Sequence, residues 1–263
     1  MHQSVSFHRA LGLAALAAVL QACGDPKSSS TSGPEGGPVA TSRMTIDLRV
    51  ISSADNPGTA VVRANLNDGK VLGKSYRLDG GDYFRACING LCRNMADNDS
   101  LDAPDYIARF DYQAGVDYVI AFNRLEGGNA PDSRVVMPPA FTIVTPANQQ
   151  QVTDGETVIV SWTPTGAPAR ASLTYNADCT FVGGTHSYSG GALSDDANAD
   201  GREPVSINPI VEFARSGTTS TLTRCSIDVI VSHELQGRID PAYRTGTARG
   251  IVSRKVNLVY IPR

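Results

Sequence analysis

The chain has 263 residues, 41% of them hydrophobic, and carries a net charge of −3 at pH 7. A mildly acidic chain lacks the basic surface that nucleic-acid binding requires, so we expect no nucleic-acid partner. The 25 glycines and 15 prolines, without an apolar stripe of helical period, favour strands joined by turns.

The N-terminus begins with polar residues 1–9 and continues with an uninterrupted apolar run over residues 10–20. As a helix this run would extend about 16 Å, too short for a ~30 Å hydrocarbon core but typical of a signal-peptide core. The sequence Leu20-Gln21-Ala22-Cys23 follows directly. It resembles the lipobox of bacterial lipoproteins, in which the signal peptide, here residues 1–22, is removed. The alternative is an ordinary secretory signal with a chance cysteine.

The lipobox resemblance implies a diacylglyceryl thioether on Cys23 and an acyl group on its new amine. Several acyl chains give stable membrane anchoring where one chain would not. Gly24 follows in place of the aspartate associated with inner-membrane retention in enteric bacteria, which favours the outer membrane. Residues 23–42 then form the lipidated cysteine and a Gly-, Ser- and Pro-rich linker, spanning about 25 Å as a flexible coil.

Period-2 alternation dominates from residue 43 onward. Residues 45–50 place three apolar side chains on one face, and the runs 106–112 and 116–122 alternate in the same way. The short QAG turn between the last two runs predicts a β-hairpin. Their aromatic residues suit a core face better than a platform for stacking sugars. Pro138-Pro139 interrupts the pattern and predicts a junction between β-sandwich domains over residues 43–139 and 140–263.

The second segment contains four alternating runs, around Trp162, Tyr175, Ile227 and Leu258. The tryptophan before Thr-Pro, followed by a strand carrying Tyr175, resembles fibronectin type III and related immunoglobulin-like domains. The resemblance implies a β-sandwich of about 120 residues. The segment 180–221 departs from it, because it has no regular strand pattern. The predicted fold class is therefore all-β, with two tandem immunoglobulin-like or fibronectin-like sandwiches.

The five cysteines leave one unpaired if two disulfides form. Asn89-Gly90 is a preferred type I′ turn, so Cys87 and Cys92 become a non-hydrogen-bonded cross-strand pair, close enough for a disulfide. A redox motif would have closer spacing, and a metal site would need further ligands. Cys179 and Cys225 lie on the apolar faces of their strands, which predicts a buried disulfide between them. Cys23 remains for lipidation.

Asp196, Asn198, Asp200 and Gly201 have the D-x-N-x-D-G spacing of the first half of a calcium loop. The twelfth position is Ile207, so the bidentate glutamate is missing, and a solvated acidic turn is the alternative. Calcium is the one cofactor that the sequence leaves open. We expect His186 and His233 to be surface residues, since they lack further ligands at metal-binding spacing.

No catalytic motif is present: the sequence has no nucleophile elbow, phosphate-binding loop or zinc-protease helix. The expected function is therefore a non-catalytic binding, adhesion or scaffolding role at the cell envelope. Its partners would be the membrane, through the lipid anchor, and a protein or glycan. The alternative is a polysaccharide- or peptidoglycan-acting enzyme, or an accessory protein, that uses the calcium loop.

Overall fold

The computed structural model describes residues 39–70, 74–98, 104–164, 170–194, 201–216 and 219–263. This part of the chain is mostly β, in agreement with the predicted class. Two predicted sites lie outside the described residues: the lipidation site Cys23, and the calcium candidates Asp196, Asn198 and Asp200.

Strands account for nearly all regular structure, with a short 3-10 turn at Thr41–Arg43 and one helix, α1 (Asn208–Ser216), in the described residues. In chain order the strands are β1 (Thr45–Ser52), β2 (Thr59–Asn67), β3 (Tyr83–Ile88), β4 (Leu91–Asn94), β5 (Ala96–Asp97), β6 (Tyr106–Asp111), β7 (Asp117–Asn123), β8 (Ala130–Val136), β9 (Thr142–Thr145), β10 (Gln150–Val152), β11 (Thr157–Thr163), β12 (Arg170–Phe181), β13 (Gly184–Ser194), β14 (Arg202–Ser206), β15 (Leu222–Gln236) and β16 (Thr245–Tyr260).

Three sheets contain these strands. The largest has nine strands in the order β13-β12-β15-β16-β1-β2-β6-β5, with β10 as an additional neighbour of β16. A four-stranded sheet, β4-β3-β7-β8, and a three-stranded sheet, β14-β11-β9, complete the set. The nine-stranded sheet presents one apolar face to the core, because its strands alternate buried and exposed residues.

The four-stranded sheet packs on the β1–β2–β6 part of the nine-stranded sheet. Phe110 on β6 meets Tyr118 on β7 edge to face, with ring centroids 6.0 Å apart. Phe84 on β3 lies 5.6 Å from Tyr106 on β6. All four rings are buried, so the aromatic stripe predicted at 106–122 belongs to the core. Such contacts across the layers define a β-sandwich.

The predicted hairpin of 106–112 with 116–122 is wrong. β6 pairs with β2 and β5, whereas β7 pairs with β3 and β8 in the other sheet. The turn that contains Gly115, at a φ of 70°, therefore crosses from one layer to the other. Alternation predicts which face of a strand is buried, but it carries no information about the partner strand.

The two predicted domains share the nine-stranded sheet. β1 runs parallel to β16 in continuous register from Thr45↔Thr245 to Ser52↔Val252. The strands approach closely at Gly246, where a Cβ atom would lie 2.1 Å from the Ile46 carbonyl oxygen. Pro138-Pro139 does lie between strands, after β8 and before β9. Because the sheet continues across this junction, the tandem immunoglobulin-like arrangement is not confirmed.

The irregular segment 180–221 contains β13, β14 and helix α1. The helix buries Ile210, Val211 and Ala214. The runs of the second segment are buried as predicted, including Trp162, Tyr175 and Leu258. No helix within the described residues is both long and apolar enough to span a membrane.

Candidate ligand-binding site at the open edge of β16

Strand β16 has one edge that is only partly covered. One side pairs with β15 along its length, from Cys225↔Tyr260 to Gln236↔Arg249. On the other side, β1 pairs as far as Val252, and β10 begins only at Leu258. No described strand pairs with residues 253–257 on this side. We call these five residues the open edge.

A cavity of about 520 Å³ lies along the open edge, and we call it the edge cavity. This volume is within the range of small-molecule and peptide-side-chain pockets. β1 ends at one side of it and the loop before β10 forms the other side. The lining residues are Ala54, Thr142, Ile143, Pro146, Asn148, Asp228, Arg254, Lys255, Val256 and Asn257.

The main chain of the open edge points toward this cavity. Asn257 donates its N–H to Asn148 Oδ1 at 3.1 Å and accepts from the Gln149 N–H at 2.7 Å, so both its main-chain groups lie on the open side. Main-chain groups alternate in direction along a strand, so Lys255 and Ser253 direct theirs to the same side. Ser253 O accepts from Arg254 Nη1 at 2.7 Å. Lys255 N–H and C=O remain directed at the edge cavity.

Lys255 carries a side chain that joins two elements around the cavity. Its Nζ lies 2.8 Å from Asp55, in the β1–β2 loop, and 2.9 Å from Asp228 on β15. The hydrogen bonds to Asp55 and Asp228 hold the pKa of the ammonium above its usual range. Asp228 also accepts from Asn257 Nδ2 at 2.8 Å. The bonds of Asp228 to Lys255 and Asn257 fix the polar wall of the cavity before any ligand arrives.

Arg254 differs from its neighbour, because it is half-buried and no carboxylate lies within ion-pair distance in the described part of the chain. Its guanidinium carbon lies 5.8 Å from the centroid of the Phe141 ring. Burial lowers the pKa of the guanidinium, which nevertheless remains charged at neutral pH. A cation taken partly out of water without a counter-ion is costly, so an anionic ligand group at this point would be stabilised.

An aromatic cluster of Phe141, His233 and Trp162 supports Arg254 from the core side. Phe141 stacks on His233 with ring centroids 4.0 Å apart, and Trp162 meets His233 edge to face at 5.9 Å. His233 is buried, so its predicted surface position is wrong. Burial lowers the pKa of its imidazole to about 4, and Nε2 is buried without a hydrogen-bond partner among the described residues. His186 is exposed, as predicted.

A second cavity, of about 310 Å³, lies on the outer face of the nine-stranded sheet. Arg63, Arg49 and Arg249 lie directly opposite one another on β2, β1 and β16. Carboxylates compensate these like charges: Asp105 pairs with Arg63 at 2.7 Å, Asp47 contacts both Arg49 and Arg249, and Glu234 lies 3.7 Å from Arg249. Each of these arginines therefore has a carboxylate partner, so this surface offers a ligand less uncompensated charge than the edge cavity does.

The predicted disulfides are both present. Cys87 and Cys92 pair across the β3–β4 hairpin, where Asn89 and Gly90 have φ values of 47° and 79° as the type I′ turn requires. Cys179 and Cys225 pair across β12 and β15, both buried. Each disulfide joins directly opposite residues, with Cα atoms 4.1 Å and 4.0 Å apart respectively.

The calcium hypothesis stays a prediction, because Asp196, Asn198 and Asp200 lie outside the described residues. Ile207, at the position of the missing glutamate, is fully buried in the core. Gly201 has a φ of 80°, as a turn requires. Within the described ranges, no three His, Cys, Asp or Glu side chains are grouped so that they could hold a metal ion.

Sequence reasoning missed the edge cavity entirely, although local signals for two of its features existed. The alternation Cys225, Ile227, Val229, Val231 extends to His233, and the alternation that contains Val256 and Leu258 extends back to Arg254. Both polar residues therefore fall on apolar faces. No protein-family model matches the chain, and no curated protein matches it in sequence.

Proposed function

We propose that this chain is a lipid-anchored, non-catalytic binding protein of the bacterial cell envelope, with the outer membrane favoured, and that its ligand occupies the edge cavity. The observation that carries the proposal is the composition of this cavity. Fixed polar side chains, open main-chain groups and one half-buried cation converge there. Preformed clefts with a few convergent polar groups are the usual form of ligand sites.

The anchor is supported by the lipobox resemblance at Leu20–Cys23 and by the linker that follows. In a Cys23→Ser variant we expect the protein to leave the membrane fraction in detergent partition, because acylation at this sulfur is lost. Asp25→Asn, two residues away, is the matched control and should stay with the membrane. A Cys23→Ser variant that still partitions with membranes would refute the anchor.

Binding at the edge cavity is tested in intact cells with a photo-crosslinking amino acid at Ala54, which lines it. The control places the same residue at Leu91, which is 55% exposed in the β3–β4 hairpin. We expect a discrete adduct from position 54 and none from position 91. Identical adduct patterns at both positions would contradict the assignment. Turnover of a polysaccharide or peptidoglycan by the purified protein would overturn the non-catalytic role.

A further inference from the structure

We propose that the edge cavity binds an extended peptide segment of a partner protein that carries a carboxylate, with the main chain of the peptide on Lys255 and its carboxylate on Arg254. This inference rests on the proposed binding function and specifies its ligand. The binding of the peptide main chain depends on the open edge of β16. The binding of its carboxylate depends on the guanidinium of Arg254, which has no carboxylate partner in the described residues.

The open edge has the geometry for one added piece of strand. Five residues separate the last pair with β1 from the first pair with β10, a length of about 16 Å at 3.3 Å per residue. Asn148 and Gln149 already satisfy the Asn257 end, and Arg254 satisfies Ser253 O. About three peptide residues then fit around Lys255, whose N–H and C=O supply one donor and one acceptor. Addition of a strand to an exposed sheet edge is a common mode of peptide recognition.

The charge at the cavity selects among peptides. Lys255 has Asp55 and Asp228 as partners, so its charge is already compensated. Arg254 has no such partner in the described residues and lies in the same cavity. Guanidinium–carboxylate bonds are among the strong hydrogen bonds in proteins, particularly when they are partly shielded from water. An acidic peptide side chain or a C-terminal carboxylate therefore fits better than a neutral or basic group.

Access to the cavity does not require a costly rearrangement. Asp55 has a side chain that is 79% exposed, and its pair with Lys255 extends from the β1–β2 loop to β16. Exposed ion pairs of this kind contribute little to stability, so the β1–β2 loop can release Lys255 when a peptide enters. The remaining wall, formed by Asp228 and Asn257, stays in place through its own hydrogen bond.

The test uses the full chain in detergent and two peptides, acetyl-Thr-Val-Glu-Val-Thr-amide and its Glu→Gln counterpart, titrated by calorimetry. We expect the Glu peptide to bind at least about tenfold more tightly, since one charge-assisted hydrogen bond separates the two. In an Arg254→Gln variant this preference should fall to within about twofold. Arg109→Gln, an exposed arginine on β6, is the matched control and should retain it.

A second measurement tests the main-chain half of the proposal. On binding of the Glu peptide, hydrogen exchange at the Lys255 amide should slow at least about tenfold, because that N–H becomes bonded. Binding without this protection overturns the strand-addition mode. A galacturonate oligomer is the glycan arm: binding of the oligomer without the peptide overturns the peptide assignment. Failure of both ligands also overturns it, whereas a specific Ala54 adduct would still support the proposed function.

Discussion

Two arginines, Arg124 and Arg254, illustrate two different uses of a charge in this molecule. The Arg124 side chain is 1% exposed, and its Nε donates to Asp82 Oδ2 at 2.8 Å; the Asp82 side chain is itself 7% exposed. Its Nη1 donates to the Val39 carbonyl oxygen at 2.6 Å and to Thr41 Oγ1 at 3.1 Å. This arginine therefore fixes the first described residues of the chain against the loop after β7.

Arg254 has no carboxylate partner of this kind within the described residues. Its one protein hydrogen bond among the described residues is to the neighbouring Ser253 carbonyl oxygen, and its guanidinium remains half-buried at the edge cavity. The two sites differ in kind, because a buried charge that is paired with a carboxylate is part of the structure. A half-buried charge without a counter-ion is better explained by a ligand.

The largest expected effect comes from breaking the Arg124–Asp82 pair. Arg124→Met leaves the Asp82 carboxylate buried and unpaired, so we expect the free energy of unfolding to fall by about 3–5 kcal/mol. Urea unfolding measures this loss. The double variant Arg124→Met, Asp82→Leu removes both charges and should recover a substantial part of it. A loss below about 1 kcal/mol in the single variant would show that the pair is not buried in solution.

His233, beneath the edge cavity, should make stability depend on pH. Its pKa is about 4 in the folded protein, against 6.5 for an unperturbed imidazole, so the unfolded chain takes up a proton first as pH falls. Above pH 6.5 the titration of His233 leaves the free energy of unfolding unchanged. As pH falls from 6.5 toward 4, that free energy decreases by at most about 3 kcal/mol. His233→Phe should reduce the slope of unfolding free energy with pH over this window. An unchanged slope would assign it to other groups.

The smallest expected effect is that of Arg254→Met on stability. Because this guanidinium makes no ion pair with any described residue, its removal should change the unfolding free energy by less than about 1 kcal/mol in either direction. The contrast with Arg124→Met is measured in the same urea series. A loss comparable to that of Arg124→Met would mean that Arg254 has a structural role, and the distinction between the two sites would fail.

The buried faces of the strands were predictable from sequence, because alternation is a local property. Ile46, Leu48 and Val50 are all fully buried, and Asn89-Gly90 forms the turn that its φ requirements predict. The same alternation, carried two residues further, would have placed His233 in the core. Its polar residue type favours the surface, whereas its position in the alternation favours the core.

Pairing between distant strands was not predictable. The hairpin expected around Gly115 joins two layers instead, and β1 finds its partner two hundred residues away in β16. The edge cavity exists because β1 ends at Ser52 and β10 begins at Gln150, and both facts depend on register with β16. No local pattern in a single sequence specifies such a gap.

The most direct test of the central claim is amide hydrogen exchange along β16 in the ligand-free protein. Ile251, which lies opposite Ile51 of β1, and Asn257, bonded to Asn148, should both be protected. Lys255, between them on the same side, should exchange much faster, because its N–H is directed at the edge cavity. Protection of Lys255 equal to that of Ile251 would show that the edge is closed and would contradict the account.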